Sequence, residues 1–168
     1  MIAHGLQMQL MGIRSVVEDF SVITTGIFMA GFYIGYFSGS QTTPKLVQKV
    51  GHIRVFAAFA SLASLSALLA AVYVNPVMWT LSRIVTGISL VSCYIVAESW
   101  LNDRATNKNR GQLLSAYMII LYIGLGIGML LLNVSNPKNY EPFILVSVLL
   151  SLALAPILLT KRSTPKFK

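Results

Sequence analysis

Between Phe20 and Leu159 the chain is built from five apolar runs, Phe20–Ser40, Val55–Val74, Val77–Ala97, Leu113–Leu132 and Phe143–Leu159. Crossing about 30 Å of hydrocarbon takes about 20 mainly apolar residues in a helix. Lipid offers the backbone no hydrogen-bond partners, so runs of this kind must be helical. A sixth segment, Ile2–Ile13, is too short to cross; it carries His4, Gln7 and Gln9 and is followed by Arg14, Glu18 and Asp19. It reads as the second half of a helix whose beginning is missing, as a truncated gene or a misplaced start codon would leave it. The opening has neither the basic flank nor the small-residue cleavage site of a signal peptide, so it is expected to be retained. Connections are short: counting Ile2–Ile13 as the first span, Asn75-Pro76 turns the third into the fourth and Asn136-Pro137 with Asn139 turns the fifth into the sixth. The expectation is an all-α membrane protein: one transmembrane bundle of six helices over residues 1–160, the first incomplete, and a basic cytoplasmic tail over 161–168.

Composition removes other classes. With 55% hydrophobic residues, 11% charged residues and a mean hydropathy of +0.72, the chain lacks the roughly 25% charge of a soluble domain. The net charge of +8 would suit nucleic acid only if it were gathered on one face, and here it is divided among short loops. Cys93 is a lone cysteine inside an apolar run, so there is no disulfide framework and no metal-ligand spacing. No nucleophile–base pair occurs in the spans; neither an enzyme, a cofactor nor a metal is expected.

The basic residues set the orientation, because short cytoplasmic loops hold the excess of lysine and arginine. Lys45, Lys49 and Arg54, then Arg104, Lys108 and Arg110, then Lys161, Arg162, Lys166 and Lys168 fall on one side, ten of the 13. Arg14 and Lys138 fall on the other. The alternation puts the tail in the cytoplasm of a cell that carries the protein in its (inner) membrane.

Arg83 is the exception, a charge inside a span. A buried intramembrane arginine is costly and is usually functional. Helical spacing aligns it with Gly87, Leu90, Tyr94 and Glu98, yet Arg83 and Glu98 are roughly 22 Å apart along the axis and cannot pair. Arg83 is expected to face a cavity or polar partner, and Glu98 to sit at the cytoplasmic boundary among Arg54, Arg104 and Arg110, with Arg54 its partner. On the first helix His4, Gln7 and Met11 share a stripe, and His4 is a candidate proton relay.

Two spans carry glycine ridges, Gly31, Gly35 and Gly39 on the second and Gly124 and Gly128 on the fifth. Small residues at this spacing let helix backbones approach closely. The run Gly124-Leu-Gly126-Ile-Gly128 is not a dinucleotide loop, since no strand precedes it and no acid follows at the right distance. The ridges are expected to meet a partner beyond the six helices.

These features together resemble the N-terminal half of a major facilitator superfamily transporter, over nearly the whole chain. The loop from Pro44 to Arg54 is similar to that family's signature loop, keeping Gly51, Lys49 and Arg54, with Pro44 where its first glycine is expected and Gln48 where its aspartate is. Arg83-Ile-Val-Thr-Gly87 resembles the family's R-x-x-x-G element, associated with proton coupling, and the fifth span lacks the proline of the antiporter signature. Ala97-Glu-Ser-Trp-Leu-Asn102 followed by Arg110-Gly111 is similar to a poorly characterised bacterial subgroup. In that family helices one and four line the substrate path, and helices two and five face a second half.

The resemblance implies secondary active transport of a small solute by alternating access, this chain being one half, with a second six-helix half or a second copy as partner in the lipid bilayer. Arg83, Gly87, Tyr94, Gln7 and His4 would form the substrate path or coupling site. Lys49, Gly51, Arg54, Glu98 and Arg110 would form the cytoplasmic gate. The rival reading is a membrane scaffold that transports nothing, or an inactive fragment.

Overall fold

The computed structural model describes residues 1–134 and 136–155. Six α-helices follow in order: α1 (Ile2–Val17), α2 (Val22–Val50), α3 (His52–Val72), α4 (Pro76–Arg104), α5 (Arg110–Leu131) and α6 (Glu141–Leu152). Four of them, α2 to α5, are long and apolar enough to cross a membrane. At 16 residues, α1 reaches only about 24 Å. The described part of α6 ends before the predicted span does, and the expected tail over 161–168 lies outside the described residues.

Local chemistry sets the helix starts at the end that holds Asp19 and Asn75, labelled outer after the sequence expectation, with the opposite end labelled inner. Ser21 caps α2 by accepting from the Thr24 amide at 3.1 Å, and Asn75 caps α4 through the Val77 amide at 2.9 Å, with Pro76 in the first turn. These caps satisfy amides that would otherwise face lipid or headgroup unpaired. Between α1 and α2 the chain reverses at Asp19, whose φ of 54° is in the left-handed region. Arg14 secures that corner: it pairs with Glu18 at 2.6 Å and donates to the Pro137, Lys138 and Asn139 carbonyls of the α5–α6 connection.

At the opposite end the structure departs from the sequence expectation. The predicted loop over 41–54 is helix as far as Val50, with Pro44 inside it, and Gly51 alone joins α2 to α3. Proline costs a helix its own amide bond; here the turns around it are held by side chains. Thr43 donates back to the Gly39 carbonyl at 2.6 Å and shares a hydrogen bond with Ser92 of α4 at 2.7 Å. Val47 is buried with Val55, Phe56, Ala60, Cys93 and Val96, so the extension has its own small core. Gly51 has φ of 91°, which lets one residue close one helix and open the next. Likewise α4 continues past Ala97 to Arg104, and the connection shrinks to 105–109, where Asn109 Oδ1 accepts from the Thr106 amide and hydroxyl.

Packing places α4 centrally. It lies along α2 and α3; α3 also packs on α6, α6 on α1, and α1 on α5. The glycine ridges make this possible. Gly31, Gly35 and Gly39 lie against Thr80, Ile84, Ile88 and Val91 of α4, and Gly87 reciprocates against Phe32 and Tyr36. A Cβ on Gly35 would collide with the Ile84 carbonyl, and one on Gly87 with the Phe32 carbonyl. The second ridge works the same way, Gly124 and Gly128 against Met1 and Ile2, with Gly5 reciprocating against Leu125. The expectation that these ridges need an occupant outside the bundle is therefore corrected: both are filled from within, because α4 and α1 offer matching glycines that spacing along one helix does not reveal.

Candidate functional site

The centre of the bundle is polar. Gln7 of α1 and Thr86 of α4 are fully buried, and Gln7 Nε2 donates to Thr86 Oγ1 at 3.5 Å. Thr86 shares a shorter hydrogen bond, 2.8 Å, with Ser66 of α3. The Ser66 carbonyl accepts from Ser82 at 2.7 Å. Three helices are thus tied through hydroxyls that would each be costly to bury alone.

Arg83 stands beside this network and takes no part in it. Its residue exposure is 2%, and its Nε and Nη1 have no hydrogen-bond partner among the described residues. Its guanidinium carbon lies 4.7 Å from the centre of the Phe32 ring on α2. On α1, the His4 imidazole stacks on that same ring at 5.1 Å, and its Nδ1 is also buried without a partner. Residues from α1, α2 and α4 therefore present two nitrogen-bearing groups against one aromatic ring. A cation–π contact recovers part of the lost hydration, while an arginine within a span costs up to about 2.5–3.5 kcal/mol on insertion scales, the figure for the helix centre. One turn toward the outer end, Trp79 seals the seam: its indole donates to the Ala70 carbonyl at 3.0 Å, and Phe20 and Phe28 pack edge-on against it at 5.1 and 5.3 Å.

The predicted path residues thus fall into two groups. His4, Gln7 and Arg83 converge, whereas Gly87 is spent on the α2 contact and Tyr94 lies deeper along α4, its hydroxyl 2.9 Å from the Met1 sulfur. Phe32, Thr86 and Ser66 belong to the same centre and were not singled out from sequence. Phe32 lies one residue past Gly31, so the ridge itself marked the face that meets α4; Ser66 and Thr86 look like ordinary small polar residues of a span.

The inner end is different in kind. Lys49, Arg54, Glu98 and Arg110 are exposed, and the expected Arg54–Glu98 ion pair does not form among the described residues. Glu98 lies beside the Tyr117 hydroxyl of α5, because the helical extensions of α2 and α4 carry the loop charges outward instead of folding them over the bundle. What closes this end is aromatic: His52 Nε2 bonds Ser99 at 3.0 Å, and the Trp100 ring packs against His52 and Phe56. No group of three or more His, Cys, Asp or Glu that could hold a metal occurs among the described residues.

A bundle of long apolar helices with a polar, charged centre and glycine-mediated seams is the architecture of a multi-pass membrane protein. Residues 1–168 match the family model of the Major Facilitator Superfamily, and the chain belongs to that family. It is similar to proteins named "Uncharacterized MFS-type transporter YcaD". That of Escherichia fergusonii is 26% identical over 136 residues, covering 81% of this chain and 36% of the relative. That of Escherichia coli O6:K15:H31 is 27% identical over 146 residues, covering 86% and 38%. The chain thus spans less than two fifths of the length of these curated relatives. No solved structure matches.

Proposed function

We propose that these six helices form one half of a secondary transporter, which moves a small solute by alternating access between this half and a second six-helix unit. The observation that carries the reading is Arg83, a buried guanidinium with unpartnered donors where α1, α2 and α4 meet. A fold that needed only stability would gain from an apolar residue there. In this reading His4, Gln7, Arg83 and Phe32 contact the solute, with Gly87 setting the close α2–α4 approach and Tyr94 lining the deeper path. The rim bearing Lys49, Gly51, Arg54, Glu98 and Arg110 is the cytoplasmic gate. The protein sits in the inner membrane of a bacterial cell, with that rim inside, consistent with its basic residues.

The test is solute accumulation in sealed vesicles, with the second half supplied as a fusion or by co-expression. An imposed ion gradient is expected to drive uptake of one solute, and an ionophore to abolish it. Vesicles that move nothing under any gradient, from protein that is inserted and folded, would leave the scaffold reading. Orientation is checked separately: in intact cells, cysteines at Lys49 and Asn107 are expected to resist an impermeant thiol reagent, and one at Asn136 to react.

A further inference from the structure

The sequence has five acidic residues, and all lie near helix ends or in connections. Glu18 is taken by Arg14, Asp19 lies in the α1–α2 corner, Glu98 and Asp103 are at the inner end of α4, and Glu141 opens α6. Glu98 is about 22 Å along the α4 axis from Arg83. Among the described residues no acid pairs with Arg83, whose exposure is 2%. Its surroundings supply a ring face at 4.7 Å and an imidazole with a free nitrogen, while the buried Gln7 amide donates to Thr86. The nearby hydroxyls of Ser66, Thr86 and Ser82 are engaged with one another and with backbone. The centre is thus short of one negative charge and rich in donors.

We propose that the solute held at this centre carries a small oxyanion, a carboxylate or phosphate, that pairs with Arg83, with an apolar or aromatic body against Phe32. This rests on the transport reading and narrows it, assigning Arg83 to substrate charge rather than to proton coupling. Guanidinium donors suit an oxyanion because its oxygens accept in the plane the donors define. Phe32 supplies the apolar wall without adding charge.

The experiment measures thermal stabilisation of the 168-residue chain in lipid nanodiscs by four probes of one shape: sodium benzoate, phenyl phosphate, benzyl alcohol and benzylamine hydrochloride. At least one of the two anions is expected to stabilise the protein saturably while the alcohol and the amine do not, and whichever binds more tightly identifies the oxyanion. Arg83→Gln is expected to weaken that apparent affinity about tenfold or more, as loss of a charged hydrogen bond should. Arg83→Lys keeps the preference for anions at lower affinity and guards against a variant that fails to fold.

Equal stabilisation by all four probes overturns the proposal, as does a response unchanged in Arg83→Gln. No response to either anion also overturns it and points instead to a carboxylate of the second half as the partner of Arg83. The two readings fail separately. Arg83-dependent uptake of a neutral or cationic solute would keep transport and remove the oxyanion, whereas anion binding without uptake would keep the site and remove transport.

Discussion

The middle of the bundle and its inner end carry similar residue types under opposite conditions. Arg83 is buried against Phe32 and His4, with donors unused; Arg54 and Arg110 are exposed. In water a charge pair is worth about 0–1 kcal/mol, whereas a guanidinium buried within a span must be compensated by up to about 2.5–3.5 kcal/mol. The difference teaches that the location of a charge, more than its neighbours in sequence, decides whether it constrains the fold and the chemistry. The glycines divide in the same way. Gly35 and Gly87 touch backbone across the α2–α4 seam, while Gly111 at the inner end and Gly126 on the outer face of α5 have open space around them.

That contrast is easiest to break with glycine substitutions, where the largest effect is expected. Gly35→Leu or Gly87→Leu should destabilise the bundle by about 3 kcal/mol or more, because backbone rather than a flexible side chain must move. Gly126→Leu and Gly111→Leu should stay within about 0.5 kcal/mol. Reversible unfolding in mixed micelles measures both sets, and equal effects would erase the distinction. Next in size is the central hydroxyl network. Ser66→Ala and Thr86→Val should each cost about 0.5–1.5 kcal/mol, with a coupling near 0.6 kcal/mol, the average for interhelical hydrogen bonds in a membrane. A double-mutant cycle with zero coupling would show that the 2.8 Å contact is incidental. The smallest effects belong to the inner end: Arg54→Gln and Glu98→Gln should each change stability by less than about 0.5 kcal/mol and add without coupling. Coupling above that would restore the ion pair expected from sequence.

The sequence displayed the spans, the short outer turns and the charge inside the fourth helix, because hydropathy and isolated charge are local signals. It concealed the inner extensions. Pro44 and the lysines around it read as a loop, whereas Thr43 bonding to Gly39 and Ser92 and the burial of Val47 support that segment as helix. The Thr43–Ser92 bond and the clustering of Val47 with Cys93 and Val96 join residues far apart in sequence. The ridges were visible as contact faces, but their occupants were not: matching Gly87 to Gly35, or Gly5 to Gly128, requires knowing which helices are neighbours. For the centre, His4, Gln7 and Arg83 were legible as polar residues out of place, whereas Phe32 was one aromatic among many until its ring was found between two helices' polar groups.

The most direct test of the account compares the two arginines in one assay. With the second half supplied, transport should be abolished by Arg83→Ala at unchanged membrane abundance. Arg54→Ala should slow it by no more than about fivefold, the effect of losing at most about 1 kcal/mol at an exposed charge. Wild-type transport by Arg83→Ala, or a larger loss from Arg54→Ala, would contradict the claim that the buried charge at the meeting of α1, α2 and α4 is where this protein does its work.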